Sequence, residues 1–247
     1  MLHQRQEEAM DYREFGSRLQ GSLGLTTRPV AIAFRDEAPT GIPHVGAAAP
    51  AGCAYWRLAA EGQVFYTTAE DHMNCPIGAY THGVTLSEAK ATELNETIGL
   101  MVGLDYLRME EVPGIPTLKG PFGVGLYAPL ETTPFEPDVV IVRGNARQIM
   151  VLSETASAAC LGPTSPAMGR PACAMIPATL QAKEGVTSLG CIGNRVYTGL
   201  SDDELYFTIR AADLPTIVEK VERLVNANRE LEKYHRAKLA PAASASA

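Results

Sequence analysis

Four cysteines stand in segments shaped by glycine or proline: Cys53 after Gly52, Cys75 in Asn74-Cys75-Pro76-Ile77-Gly78, Cys173 in Arg170-Pro171-Ala172-Cys173, and Cys191 in Leu189-Gly190-Cys191-Ile192-Gly193-Asn194-Arg195. Glycine lets a backbone approach a bulky ligand and aim its N–H groups at sulfur, as backbone nests do around iron–sulfur centres. Four thiolates without histidine suit zinc or an iron–sulfur cluster. Structural zinc sites favour closely spaced pairs, and this chain has no Cys-x-x-Cys. The long separations therefore point to a cluster, with four irons preferred and zinc as the alternative. Cys75-Pro76 matches the Cys-Pro end of some cluster motifs. The site exists only if the fold gathers four distant segments.

Other readings compete with this one. Free cysteine is among the most buried residue types and packs as a small hydrophobe. A metal-free, thiol-dependent enzyme would need an activated sulfur. Arg195, four residues after Cys191, could supply the charge, and His72, three before Cys75, would share a face with it on a helical turn. The polar run Glu70-Asp71-His72 instead suggests a solvated histidine. A third class is a small-molecule-binding or accessory module, with the glycine-bordered loops as its mouth. His44, His82 and His235 read as surface or singly hydrogen-bonded residues, and Trp56 as a packing anchor. Asp202-Asp203-Glu204 reads as a solvated turn. Phosphate-loop, serine-triad and zinc-protease signatures are missing from the sequence.

Composition narrows the class. Hydrophobic residues make up 46% of the 247, enough to bury a sizeable core. Acidic residues outnumber basic ones, 28 to 21, and no basic run carries interleaved aromatics, which argues against nucleic acid as the main partner. The polar start is unlike a signal peptide, and the apolar stretch from Ile98 to Leu107 is too short to span a bilayer. A soluble, cytoplasmic protein with reduced thiols is expected, because five cysteines is an odd number for a disulfide framework. Its partner would be a soluble redox protein or a small-molecule ligand, and a homo-oligomer stays open.

The elements that must position the cysteines follow from periodicity. Glu8 to Leu23 reads as an amphipathic helix ended by Gly24. Arg28-Pro29 opens a strand with Val30, Ile32 and Phe34, followed by an irregular crossing from Asp36 to Ala51. Tyr55 to Ala60 and Gln63 to Thr68 flank Glu61-Gly62 as a hairpin. Thr85-Leu86-Ser87-Glu88 has the form of a capping box, with Leu94, Ile98 and Met101 following at helical spacing. Val124 to Leu130 and Asp138 to Val142 are strand-like, the second a continuous apolar run covered on both faces. Gly144-Asn145 caps a helix to about Cys160. A Gly/Pro/Ser loop from Gly162 to Pro171, a strand from Val186 to Leu189, and an Asp213-capped helix with Pro215 in its first turn complete the pattern. The expectation is one mixed α/β (α+β) domain over 1–236, with a partly parallel sheet, hairpins and packed helices. An Ala/Ser/Pro tail over 237–247 is expected to be disordered.

The ordered motifs Arg28-Pro29-Val30-Ala31-Ile32, Phe65-Tyr66-Thr67-Thr68-Ala69, Tyr127-Ala128-Pro129-Leu130, Phe135-Glu136-Pro137-Asp138-Val139-Val140, Leu189 to Arg195 and Asp202-Asp203-Glu204-Leu205 resemble the prokaryotic domain of unknown function 169, also called ArCR. The similarity covers about residues 11–225. The resemblance puts Cys53, Cys75, Cys173 and Cys191 on the family's cysteine-bearing motifs and leaves Cys160 extra. Asn145-Ala146 departs from the family's Asn-Pro, and Ala33 stands where a basic residue is frequent. The reading that combines these observations is a cysteine-ligated metal site with a redox or cofactor-handling role. Cys53, Cys75, Cys173 and Cys191 would be the ligands, Arg195 would set the local charge, and Gly78, Gly190 and Gly193 would let the loops close.

Overall fold

The computed structural model describes residues 11–162 and 167–239. Six strands form one sheet: β1 (Val30–Arg35), β2 (Phe65–Thr67), β3 (Val124–Pro129), β4 (Val139–Asn145), β5 (Val186–Ser188) and β6 (Glu204–Arg210). Their order across the sheet is β2-β3-β1-β4-β6-β5. Every strand pairing is antiparallel, so the expected parallel component is wrong. The reason lies in what an apolar run reports. Val139 and Ile141 join the core on one face of the sheet, and Val140 and Val142 join the core on the other. Such a run signals burial of both faces, which is usual in parallel sheets but here is met by helices covering both sides of an antiparallel one.

One face carries α1 (Tyr12–Leu23), α5 (Ala146–Ala158) and α8 (Leu214–Leu239), which bury Leu19, Leu152, Leu214 and Val218 against Val140, Val142 and Phe207. The Gly24 stop is as expected. Its backbone is left-handed (φ 64°), and its N–H returns to the carbonyls of Gln20 and Gly21. Helix α8 runs through Leu239, beyond the expected boundary at 236, while the remainder of the expected tail, 240–247, lies outside the described residues. The first helix begins at Tyr12, after Asp11 as its N-cap; the start expected at Glu8 and positions 163–166 of the Gly/Pro/Ser loop also lie outside the described residues.

The other face carries α2 (Gly52–Ala60), α3 (Ile77–Thr81), α4 (Glu88–Gly103), α6 (Met175–Ala182) and α7 (Ile192–Thr198). The expected hairpin around Glu61-Gly62 is therefore replaced by α2 followed by the short β2. Cys53, Tyr55, Trp56 and Ala59 are all buried, as one side of a helix packed among other helices requires, and Gly62 (φ 114°) is the turn out of α2. Helix α4 is capped by Ser87, whose Oγ accepts from Lys90 N, and Thr85 instead donates to the carbonyl of Phe122.

Helix α5 has the reciprocal cap its sequence announces. Asn145 Oδ1 accepts from Gln148 N at 2.9 Å, and Gln148 Oε1 accepts from Asn145 N at 2.8 Å. Asn145→Ala removes one half of this exchange. It is expected to cost about 1 kcal/mol and lower Tm by about 2–4 °C, whereas Asn145→Gly costs only a few tenths. A thermal melt in which alanine and glycine are equal would show that the cap does not stabilise the domain.

Candidate functional site

The helices on the second face bring the four cysteines together. Cys53 is the second residue of α2, Cys75 precedes Pro76 at the start of α3, Cys173 lies in the 3-10 turn 172–174 that leads into α6, and Cys191 is the N-cap of α7. Each thus sits at the beginning of a helical segment, where backbone N–H groups lack intrahelical partners. Helix α2 packs against α3, α7 and the 172–174 turn, so these starts meet. All four residues line one cavity of about 100 Å³. Cys160, the fifth, is exposed and elsewhere, at the end of α5.

The glycine beside Cys53 has a packing reason. A Cβ at Gly52 would lie 2.7 Å from His72 Cε1, and Gly52 and Gly78 face each other across the α2–α3 contact. Gly52 is needed to admit the His72 ring, whereas a Cβ at Gly78 would make contacts of 3.4 Å to Gly52 and 3.6 Å to His72, which are ordinary. Gly190 has a left-handed backbone (φ 73°), and a Cβ there would meet Asn194 Oδ1 at 2.8 Å. Gly193 has no comparable constraint, its nearest neighbour being Tyr197 at an ordinary 3.7 Å.

The walls are mainly apolar. Leu94, Ile98 and Met101 of α4 face the cavity, joined by Leu107, Val112 and Ile115 from the following segment. Arg170 closes one side, its guanidinium 4.8 Å above the Tyr106 ring and 3.3 Å from Glu111. Asn194, almost wholly buried in the same wall, has no hydrogen-bond partner among the described residues for either side-chain polar atom. It stands beside Cys53 closely enough to favour the thiolate slightly, without the geometry of a hydrogen bond.

Burial dominates the thiols. It pushes Cys53 up to about 12 and Cys75 up to about 11, and raises Cys173 well above the ordinary thiol range. Mutual repulsion between the sulfurs adds to this, since a thiolate at any one disfavours the next. Protein groups alone therefore keep these three protonated at neutral pH. A bound cation reverses that balance by displacing the protons. Among the described residues, no three His, Cys, Asp or Glu side chains are grouped as the ligands of a metal ion. The sulfurs border a common space instead of converging on a point.

Arg195 is engaged by the backbone around the Cys191 loop. Its guanidinium donates to the carbonyls of Leu189 and Ser201, at 2.6 and 2.8 Å, and so ties the Cys191 loop to the turn before β6. His72 is the opposite of the solvated residue expected from its polar neighbours. It is 1% exposed, lies 5.5 Å from the Tyr55 ring, and has no partner at Nδ1. The carbonyl of His72 accepts from Lys90 Nζ at 2.5 Å, a buried lysine paired with Glu93. His82, expected at the surface or singly hydrogen-bonded, is the second: it is buried, with its Nε2 3.2 Å from the carbonyl of Cys173. Spacing linked His72 to Cys75, but nothing in the sequence marked either histidine as buried. Asn194 could have been found, because it follows Cys191 by three residues and shares a face with it on a helical turn.

Burial lowers His72 to about 4 and His82 to about 3. Both are therefore neutral in the folded chain and bind protons more tightly once it unfolds. Their contribution to stability is complete above about 6.5 and is lost as pH falls through that value toward 4 and 3. Between pH 7 and 5 each histidine accounts for about 2 kcal/mol of lost stability. Urea unfolding at the two pH values checks this. His72→Gln is expected to remove about half of the difference, and an unchanged midpoint in the parent chain would show that the histidines titrate normally.

Comparison with known proteins agrees with the motif order. An uncharacterised protein of Methanocaldococcus jannaschii is 27% identical over 170 residues, which cover 66% of this chain and 71% of that one. No solved structure matches. The profile of the family described as DUF169, uncharacterised ArCR, matches residues 18–220. The chain, with its thiol-lined cavity between α2, α3 and α7, belongs to the DUF169 (ArCR) family.

Proposed function

We propose that the cavity holds an iron–sulfur cluster and that the protein has a redox or cofactor-handling role. One observation carries the reading: four cysteines from four separate segments line a single cavity. Inert core cysteines have no reason to collect in this way. Among the described residues no three such side chains are grouped around one point, which disfavours zinc, whose four sulfurs, each about 2.3 Å from one ion, must crowd together. A four-iron cluster makes a different demand, because each cysteine binds its own iron and the sulfurs stand around a volume.

The other residues suit such a group. The N–H of Ile77 already favours the thiolate of Cys75, and the helix starts at the other cysteines offer further donors and positive dipole ends. Asn194 has an unused amide N–H in the wall, available to a sulfur acceptor. His82 holds the Cys173 carbonyl in place, and Arg195 holds the loop that carries Cys191. The apolar walls exclude water and lower the local dielectric, which is one of the levers a protein has on cluster potential. Bound there, the cluster would supply one-electron transfer.

A second reading draws on the same walls. Leu94, Ile98, Met101 and Val112 make a surface that an apolar small molecule would fill without any metal, leaving the thiols protonated.

Anaerobic purification separates the two. The cluster reading expects absorption near about 400 nm that bleaches with dithionite, and iron and sulfide in about equal amounts. Cys191→Ser is expected to lose the colour and most of the iron, while Cys160→Ser keeps both. Colourless protein carrying zinc, or metal-free protein with all five thiols titratable on unfolding, would remove the cluster from the account and leave the apolar pocket.

A further inference from the structure

One polar side chain in the wall of the thiol cavity is fixed by packing and left without a hydrogen bond. Asn194 is 1% exposed, and neither Oδ1 nor Nδ2 has a partner among the described residues. Its backbone is held, because the Thr198 hydroxyl donates to the Asn194 carbonyl at 2.7 Å and itself accepts from Tyr206 at 3.1 Å. Its side chain is enclosed. A Cβ at Gly190 would lie 2.8 Å from Asn194 Oδ1, so the glycine before Cys191 leaves the room that the amide occupies. A buried amide without partners costs stability, and leucine, of nearly the same shape, would remove that cost. The unpaired atoms therefore need a reason other than the stability of the fold.

Two acceptors stand near the amide. Helix α2 packs against α7 and brings Cys53 to it, while Tyr206 reaches it from β6. Burial raises the thiol and the phenol alike, and against it the amide favours the anion of each, yet it has formed a hydrogen bond with neither. The Tyr206 hydroxyl is a neutral oxygen already engaged with Thr198. Cys53 is the acceptor that a metal centre turns into a thiolate, and an ionised acceptor makes the stronger bond. No path from solvent is needed for this contact, since the sulfur is itself buried in the wall beside the amide.

On the cluster reading proposed for this cavity, we infer that Asn194 donates through Nδ2 to the sulfur of Cys53 and so sets the potential of the bound centre. The N–H stabilises the added negative charge of the reduced state more than it stabilises the oxidised state, which raises the potential. Asn194 acts through Cys53 and is a positioning residue, with no bond to iron.

Parent, Asn194→Leu, Asn194→Ala and Tyr206→Phe are purified anaerobically, assayed for iron and sulfide, and titrated with dithionite; the metal-free forms are melted in parallel. Asn194→Leu is expected to keep its iron, to melt without metal no lower than the parent, and to shift the ratio of reduced to oxidised protein about tenfold toward the oxidised form at a fixed potential. For one electron that is a midpoint lower by about 59 mV. Asn194→Ala, which only removes atoms, should move the midpoint in the same direction if the leucine variant loses iron. Tyr206→Phe disturbs the same layer of side chains and keeps the amide, so its midpoint should not fall. An unchanged midpoint in both Asn194 variants would overturn the inference and leave the cluster standing. So would an equal fall in Tyr206→Phe, or a metal-free Asn194→Leu that melts well below the parent, since the amide would then be serving the fold. A parent without iron and sulfide removes the cluster, and this role of Asn194 with it.

Discussion

Where α2 meets α3 there is no room for a side chain at Gly52. Gly52 and Gly78 face each other, and the His72 ring fills the remaining space so closely that one added carbon at residue 52 would overlap it. The rest of the site depends on this contact. It sets the distance between the helix that carries Cys53 and the turn that carries Cys75, and it buries an imidazole that must stay neutral to be there. Around it the backbone is tied down by groups that do no chemistry. The hydroxyl of Tyr55 accepts from Ala49 N and donates to the carbonyl of Asp71, and Lys90 anchors the His72 carbonyl from α4. The order of cause therefore runs from packing to site: Gly52 allows the helices to meet, and the meeting gathers the sulfurs.

The sequence displays that arrangement unevenly. Strands whose two sides are both covered announce themselves through unbroken apolar runs, as in Val139 to Val142, and helices bounded by Asn145 or Gly24 announce their ends. Strand direction leaves no such mark, because side-chain burial is the same whichever way the neighbour runs. That is why the sheet proved wholly antiparallel. Residues 52 to 60 misled for a related reason: Tyr55, Trp56 and Ala59 are apolar enough for a strand, and only their shared burial on one helix reveals the true period. The cysteines could be picked out by the glycines and prolines near them. The main purpose of Gly52, the accommodation of His72, could not be read, since the histidine comes from a polar run that in isolation belongs in water.

The charges are divided between two spaces. The thiol cavity is walled almost entirely by carbon, with Arg170 at its side and Asn194 within it, so any charge placed there is poorly screened and strongly felt. A second cavity, on the other side of α2 and α7, sets guanidinium groups and carboxylates, Arg28, Arg57, Glu61, Arg143 and Glu204, beside the apolar Val30 and Ile141. In it Glu204 illustrates how the balance falls. Burial alone would raise its carboxyl, yet Arg143 and Ser201 hold it down to about 2, so the acceptor is fully committed to its own neighbours.

The partition between these spaces is only one layer of side chains thick. Cys53 and Trp56 lie within one turn of α2, as do Asn194 and Thr198 on α7, and in each pair the first member lines the thiol cavity and the second the polar one. Tyr206 spans the layer: its hydroxyl donates to Thr198, and its ring meets Trp56 edge-on at 5.5 Å. All five side chains are buried, and close-packed interiors transmit a displacement instead of absorbing it. A substitution in the partition therefore disturbs both spaces at once and cannot by itself assign an effect to either. Residues that touch one space only, Ile98 and Leu107 on the thiol side, Arg57 and Thr27 on the other, are the positions at which the two can be told apart.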